Sequence, residues 1–219
     1  WARQITGSGN GGVNTIAIDS AQNIYSAGPF TGTADLDPGT GTFNVTSAGM
    51  GDIFMIKLAP NANLIWARTL NGPGQNTMYS IDHDDMGNGY YLGSFSGTID
   101  LDPSAATANY TSNGSNDVFV LKLDPNANFV WARSMGSDSV DTDAAYNIHI
   151  GPNNGVYSSG SFAGSGDFDP SPAVQTLTAG GIRDIFLHKM DASGNFEWAY
   201  SMGGSVFNEA NQIATDTAG

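Results

Sequence analysis

The chain has 219 residues, of which 29 are glycine and none is cysteine. It carries 21 acidic but only 7 basic residues, which gives a formal net charge of -14. So few lysines and arginines argue against a nucleic-acid partner, and the lack of cysteine excludes disulfides and thiolate metal sites. No apolar run is long enough to cross a bilayer, so we expect no membrane insertion, while a hydrophobic fraction of 40% is enough for a core.

The sequence repeats itself about every 65 residues. Trp-Ala dipeptides begin at four positions: Trp1, Trp66, Trp131 and Trp198. Their spacings of 65, 65 and 67 divide the chain into three units and the start of a fourth: residues 1–65, 66–130, 131–197 and 198–219. We expect all of them to belong to one domain, and the chain to be a fragment of a longer periodic array.

Each unit is predicted to contain two β-hairpins. In the first unit one hairpin joins Thr15–Asp19 to Asn23–Phe30, and the other joins Asp52–Leu58 to Leu64–Leu70. An Asx residue starts each turn, and a later Gly or Asn is expected to accept the positive φ that such turns need. No segment has a sustained helical period, so the chain is predicted to be all-β.

The third strand of each unit is apolar on both faces. In the first unit, Phe54 alternates with Ile53 and Met55, so this sheet has to be covered on both sides. Small residues occur early in the unit, at positions 26–28, and large ones occur late. This gradient suits wedge-shaped sheets that converge on an axis. The predicted fold class is therefore an all-β, β-propeller-like array of four-stranded blades.

Three complete blades do not close a ring of four to eight. Single flanking strands are predicted at Trp1–Ile5 and Gln212–Asp216, which leaves a sheet edge open at each end. Repeats need neighbours to bury their terminal faces. We therefore expect the partners to be further blades or copies of the same chain, as a homo-oligomer or filament.

A second repeated motif is Asp-x-Asp-Pro, found once in each complete unit. It supplies the candidate metal ligands, which are Asp35, Asp37, Asp100, Asp102, Asp167 and Asp169. Carboxylates two residues apart in a loop suit Ca²⁺, which takes six to eight oxygen ligands. The alternative is that each Asp caps its own turn and that lysines neutralise the charge: Lys57, Lys122 and Lys189.

The repeated residues resemble a known family. Asp19–Phe30, Gly32–Pro38 and Asp52–Ala67 are similar to the bacterial repeat named for seven-bladed β-propellers, and the resemblance extends over essentially the whole chain. It implies a β-propeller in a secreted or surface-attached bacterial protein, and it implies no particular activity. The chain departs from the pattern at Ala59 and Gly151, where the family has turn aspartates.

Three functions are compatible with the sequence. The first is a non-catalytic extracellular structural or adhesive protein of a bacterial surface or matrix, because the repeats are near-regular and no asymmetric site interrupts them. The second is a glycan- or ligand-binding propeller whose stacking platforms would be Tyr25, Tyr90, Tyr91 and Tyr157. The third is a polysaccharide-acting enzyme with a site at the propeller axis. No catalytic or cofactor-binding residue is assigned.

Overall fold

Antiparallel strands and one short 3-10 helix, Pro152–Asn154, make up the regular structure of residues 1–138, 140 and 142–216, the part of the chain that the computed structural model describes. The strands form structural units that are offset from the sequence repeats, because each structural unit ends with the strand that carries the next Trp-Ala dipeptide. β1 (Thr6–Gly7) precedes the first unit and takes the place that the end of the preceding unit has at the other junctions. The first unit holds β2 (Thr15–Ile18), β3 (Ile24–Phe30), β4 (Thr33–Asp35), β5 (Asn44–Thr46), β6 (Asp52–Leu58) and β7 (Leu64–Leu70). The second holds β8 (Asn76–His83), β9 (Gly89–Phe95), β10 (Thr98–Asp100), β11 (Asn109–Thr111), β12 (Asp117–Leu123) and β13 (Phe129–Ser137). The third holds β14 (Ala144–Ile150), β15 (Val156–Phe162), β16 (Ser165–Asp167), β17 (Thr176–Thr178), β18 (Asp184–Met190) and β19 (Phe196–Met202).

The longer strands form three four-stranded antiparallel sheets. Sheet 1 has the order β2-β3-β6-β7 and sheet 3 the order β14-β15-β18-β19. Sheet 2 is β8-β9-β12-β13, and pairing of β13 with β16 extends it through β16 and β17 to six strands. Each order follows the chain, because every strand pairs with the strand to which a hairpin or a longer connection leads. The all-β class and the two hairpins predicted for each unit are confirmed, with boundaries that agree to within one residue in the first unit.

The hairpin turns contain Asx residues, as predicted, and the residue with positive φ is Gly or Asn, also as predicted, in three of the six: Gly87, Gly194 and Asn153 with Asn154. The other three turns differ. Asp19 Oδ1 accepts the backbone N–H of Asn23 at 2.8 Å and so closes the turn between β2 and β3. The positive φ belongs to the residue before that Asn, with values of 64° at Gln22, 66° at Ala62 and 61° at Ala127. The expectation of Gly or Asn is wrong at these three turns, because the closing hydrogen bonds hold an ordinary residue in the left-handed region.

A short hairpin in each unit is missing from the sequence prediction. These minor hairpins are β4–β5, β10–β11 and β16–β17. The first strand of each ends at the first aspartate of the Asp-x-Asp-Pro motif. The predicted flanking strands at Trp1–Ile5 and Gln212–Asp216 are wrong, since neither segment has a regular strand. A strand needs a backbone neighbour, and no backbone pairing joins either segment to a strand within the described residues. Ile213 on the second segment donates its N–H only to a side chain, that of Asn147 on β14.

Each sheet has two apolar faces. Face a carries the phenylalanine of the third strand, such as Phe54, and face b carries its neighbours, such as Ile53 and Met55. Face b of sheet 1 and face a of sheet 2 form one core, and face b of sheet 2 and face a of sheet 3 form another. All seven residues of β12 are therefore buried, which confirms the prediction of a sheet covered on both sides.

Candidate functional site

The junctions between sheets are built from the same positions in every unit, and they are the candidate site. On face b of sheet 2, Val118 and Val120 are fully buried against sheet 3. Their counterparts in the third unit, Ile185 and Leu187, are only partly buried, and Tyr200, which pairs with Leu187, is 61% exposed. Face b of sheet 3 is thus apolar and has no sheet packed on it within the described residues. We call its residues the open face: Ile185, Leu187, Tyr200 and Met202.

Tryptophan links each unit to the next. Three indole N–H groups donate to a turn carbonyl in the following unit: Trp1 to Pro60 (2.9 Å), Trp66 to Pro125 (3.4 Å) and Trp131 to Ala192 (3.2 Å). These acceptors occupy the same position in each unit, in the turn between its third and fourth strands. Trp198 stands beside the open face and is half-buried. The Trp-Ala repeat is therefore the signature of a bond between units.

The minor hairpins also join neighbouring units. Backbone pairing connects each hairpin to the segment that follows the tryptophan of the preceding unit: Asp35 with Thr6, Asp100 with Asn71, and Asp167 with Gly136. In the middle case the join is a single bridge, in the others a short ladder. The hairpins are therefore part of the junction, a role that no local sequence signal reveals.

A third link pairs an aspartate with an asparagine of the following unit. Asp52, which opens β6, accepts the backbone N–H groups of Ala48 (2.6 Å) and Gly72 (3.0 Å). The amide of Asn76 on β8 donates to Asp52 Oδ1 at 3.4 Å and to the carbonyl of Gly51 at 3.1 Å. Asp52 and Asn76 are both fully buried. Asp184 and Asn208 repeat this arrangement in the third unit, with the amide 3.5 Å from Asp184 Oδ1.

The Asp-x-Asp-Pro carboxylates lie in the loops of the minor hairpins. Asp35 Oδ1 accepts the backbone N–H groups of Asp37 (3.1 Å) and Phe43 (2.7 Å), and Asp37 Oδ1 accepts that of Gly39 (2.8 Å). The same three bonds recur in the other units at Asp100 with Asp102 and at Asp167 with Asp169. This geometry supports the interpretation that each aspartate caps its own turn.

The metal assignment of those six residues stays a prediction. One oxygen of each carboxylate is engaged by backbone N–H groups, and the three pairs lie in three separate hairpins. Within residues 1–138, 140 and 142–216, no three His, Cys, Asp or Glu side chains are grouped so that they could hold a metal ion. The described residues of each loop therefore supply far fewer carboxylate ligands than the six to eight oxygens that Ca²⁺ prefers.

The lysines neutralise a different set of aspartates from the one expected. Lys57 Nζ lies 3.4 Å from the turn carboxylate of Asp19 and 4.7 Å from the centre of the Tyr25 ring. The Tyr25 hydroxyl donates to the same carboxylate at 3.3 Å. Burial, together with the Asp19 charge, raises the pKa of Tyr25, so this hydroxyl stays protonated. The lysine thus completes a buried cluster under the first hairpin and not an Asp-x-Asp-Pro loop.

The second unit repeats the cluster and the third replaces one member. Lys122 Nζ lies 3.8 Å from Asp84, whose carboxylate also accepts the Tyr90 hydroxyl at 3.2 Å. In the third unit Gly151 stands where the turn aspartate would be. There, Lys189 lies 3.0 Å from Glu197 on the adjacent strand. The departure at Gly151 is therefore compensated by a glutamate.

The tyrosines proposed as glycan platforms are not accessible. Tyr25, Tyr90, Tyr91 and Tyr157 are each at most 4% exposed. Three of them pack edge-on or nearly so against the tryptophan of their own sheet. Three of the rings lie between two sheets, and Tyr157 on face b of sheet 3 is covered by Trp198 and Lys189. A buried ring offers no face for a sugar to stack on, so these four residues do not form stacking platforms.

The histidines lie in three different surroundings. His188 is fully buried, and burial lowers its pKa to about 4. His83 stacks on Tyr25 with ring centres 3.9 Å apart, and burial lowers its pKa as well. His149 Nδ1 lies 3.3 Å from Asp82 across the junction of sheets 2 and 3. His83 and His188 are therefore neutral packing residues at physiological pH.

Face a of sheet 1 is also incompletely covered. A cavity of about 680 Å³ lies between it and the amino-terminal segment, and its walls include Trp1, Ile5, Ile16, Phe54 and Ile56. Ile16 is 65% exposed on the first strand of the sheet. The two outer faces of the stack are thus the ones that lack a full partner.

No protein-family model and no curated protein matches this chain. In the part of the chain that the structure describes, no helix has the length and apolar character needed to cross a membrane. The residues of the junctions are recognisable in the sequence as repeats, but their pairing across units is visible only in three dimensions.

Proposed function

We propose that the chain is a non-catalytic structural and adhesive repeat protein of a bacterial surface or matrix. Its three sheets act as successive blades of a β-propeller-like array. The open face binds face a of a further blade, which belongs to the same array or to another copy of the chain. The observation that carries the proposal is that Ile185 and Leu187 are only partly buried, at positions where the preceding units bury apolar side chains completely.

The internal junctions indicate what such a contact would contain. A fully buried Leu, Ile or Met side chain contributes about 1.5–3 kcal/mol relative to an exposed one, and the open face holds several. A further unit would also bring a turn carbonyl to Trp198, as Pro125 and Ala192 do for the preceding tryptophans. The two surfaces differ, so the contact is heterologous and extends the array in one direction.

The repeat also supports an adhesive role and an extracellular location. An identical surface presented once per unit suits polyvalent contact, in which several weak sites act together. The resemblance to bacterial surface repeats and the scarcity of lysine and arginine agree with a protein outside the cell. Since the four tyrosines are buried, no observation favours glycan binding over self-association.

The self-association is tested by light scattering coupled to size-exclusion chromatography over a concentration series. We expect association to increase with concentration and Tyr200→Asp to abolish it, because the substitution places a charge on the open face. Val130→Asp is the matched control, since Val130 is 46% exposed on the outer strand of sheet 2. It should associate like the unsubstituted chain.

Two results would overturn the proposal. A chain that stays monomeric at every concentration, with no rings or filaments in electron micrographs, would remove the assembly role. Turnover of any member of a polysaccharide panel would show that the protein is an enzyme. Equal loss of association in Tyr200→Asp and Val130→Asp would instead mean that the open face is not the contact.

A further inference from the structure

The junction between sheets 2 and 3 differs from the others at one position. Asn76 and Asn208 occupy the amide position of the Asp–Asn pairs, and the equivalent residue at the middle junction is Asp143. Its partner is Asp117, which opens β12 as Asp52 opens β6. Asp117 is 2% exposed and Asp143 is fully buried. Here two buried carboxyl groups meet where the other junctions place a carboxylate and an amide.

The substitution leaves one oxygen without a partner. Asp143 Oδ2 accepts the backbone N–H of Ser137, and its Oδ1 accepts the Ser137 hydroxyl (3.0 Å) and the N–H of Ala163 (3.2 Å). At the first junction the residue equivalent to Ser137 is Gly72, and its N–H goes to Asp52. Asp143 therefore takes the hydrogen bond that Asp117 would receive. Asp117 Oδ1 is buried with no hydrogen-bond partner.

The unpartnered oxygen faces the second carboxyl group. A methyl group built on Gly136 would lie 2.6 Å from Asp117 Oδ1 and 2.9 Å from Asp143 Oδ2, so both oxygens approach the same point. Two ionised carboxylates that line the same buried site repel each other. A proton on one of them removes the repulsion and supplies the donor that Asn76 provides at the first junction.

We propose that Asp117 and Asp143 share one proton across the junction of sheets 2 and 3, and that loss of this proton weakens that junction. The pair thereby makes the attachment of the third unit dependent on pH, while the first junction, with its asparagine amide, is independent of pH in this range. This inference concerns the contact between two sheets of one chain and does not rest on the self-association proposed above.

The electrostatic surroundings support one shared proton. Burial, with a contribution from the Asp117 charge, raises the pKa of Asp143 to about 6, and burial raises the pKa of Asp117. Among the described residues no lysine, arginine or histidine acts on either group. Among the described residues, two further acidic groups on the packed elements point elsewhere: Asp138 is exposed in the same loop, and Asp167 on β16 accepts hydrogen bonds within its own hairpin.

The direction of the pH effect follows from the raised pKa. The folded chain holds the proton more tightly than the unfolded chain, in which Asp143 has its ordinary pKa near 4. The contribution of the pair to the free energy of unfolding is therefore largest below about pH 4, falls as the pH rises to about 6, and is constant above that. A cation is a poorer occupant than a proton, because both oxygens of Asp143 already accept hydrogen bonds.

The proposal is tested by titrating the carboxyl ¹³C resonances of Asp143 and Asp117 and by urea unfolding at pH 5 and pH 8. We expect one step near pH 6 and a lower urea midpoint at pH 8. Asp143→Asn restores the amide of the other junctions, so it should raise the midpoint at pH 8 and remove the difference between the two pH values. Asn76→Asp is the matched control, and it should create a similar pH dependence at the first junction.

Each other outcome counts against the proposal. If both carboxyl groups titrate near pH 4, or if Asp143→Asn keeps the pH dependence, no shared proton exists. If Ca²⁺ raises the urea midpoint of the unsubstituted chain at pH 8 and Asp143→Asn abolishes that rise, the pair is a cation site and the proton proposal is wrong. Amide hydrogen exchange measured at Gly136 and Ala144 shows whether a pH-dependent loss of stability occurs at the junction of sheets 2 and 3.

Discussion

Sheets 2 and 3 share one sequence pattern but differ in burial. Every residue of β12 is buried, whereas β18 alternates between buried and partly exposed positions. The third strands are similar in apolar content, so the difference arises from the neighbours: sheet 2 lies between two sheets and sheet 3 is packed on one face. The burial of a residue in this array therefore depends on whether another sheet covers it more than on its position within the unit. Substitutions at equivalent positions of sheets 2 and 3 should distinguish these two influences.

The largest contrast is expected at Val120 and its counterpart Leu187. Val120→Asp puts a charge into the core between sheets 2 and 3 and should lower the free energy of unfolding by more than about 3 kcal/mol. Leu187→Asp puts the same charge on the open face and should cost less than about 1 kcal/mol in the isolated chain. Urea unfolding measures both. Equal costs would mean that the open face is covered in solution.

The next contrast compares two turns of sheet 2. Asp84→Ala removes the acceptor for Asn88 and Tyr90 and the ion-pair partner of the buried Lys122, so we expect a loss of about 3 kcal/mol. Lys122 then keeps only the Ala192 carbonyl as acceptor and the Asp191 charge as a neighbour. Asp124→Ala removes similar turn bonds at an exposed site that has no lysine partner, at a cost of about 1 kcal/mol. Thermal unfolding with matched denaturant curves tests this. A small loss in Asp84→Ala would show that Lys122 finds another acceptor.

A smaller contrast is expected between the tryptophans. Trp66→Phe keeps an aromatic ring but removes the indole N–H that reaches Pro125 in the next unit, which should cost about 1 kcal/mol. Trp198→Phe removes an indole N–H for which the described residues provide no following unit, so its effect should be close to zero in the isolated chain. Comparable losses in the two variants would argue that the indole bond is unimportant.

The smallest expected effect is that of calcium. If the Asp-x-Asp-Pro loops bind it with a dissociation constant near the calcium concentration used, each site adds about 0.4 kcal/mol to stability. The comparison is thermal unfolding with Ca²⁺ or Mg²⁺, in the unsubstituted chain and in Asp102→Asn. An identical midpoint under all conditions would leave the aspartates as turn caps alone.

The sequence predicts the parts of the fold that depend on local chemistry. The Asx turns and the alternation of Phe54 with Ile53 and Met55 locate the main strands correctly. The attachment of the minor hairpins to the preceding unit and the links from tryptophan and aspartate are not predictable, because each joins residues of different units and depends on how two sheets meet. Tyr90 and Tyr91 were assigned to binding incorrectly, since a strand covered on both faces buries both of two consecutive side chains.

The tryptophan links have a consequence for synthesis on the ribosome. Each indole N–H donor precedes its carbonyl acceptor in the chain, and the acceptor of Trp66 is synthesised 59 residues after it. At a translation rate of about 5–20 residues per second, that interval lasts about 3–12 seconds. During this interval the newest blade has formed its own hairpins, but one of its apolar faces is not yet covered by a following blade. During synthesis the most recently made blade therefore exposes one apolar face, and we expect chaperones to bind to it.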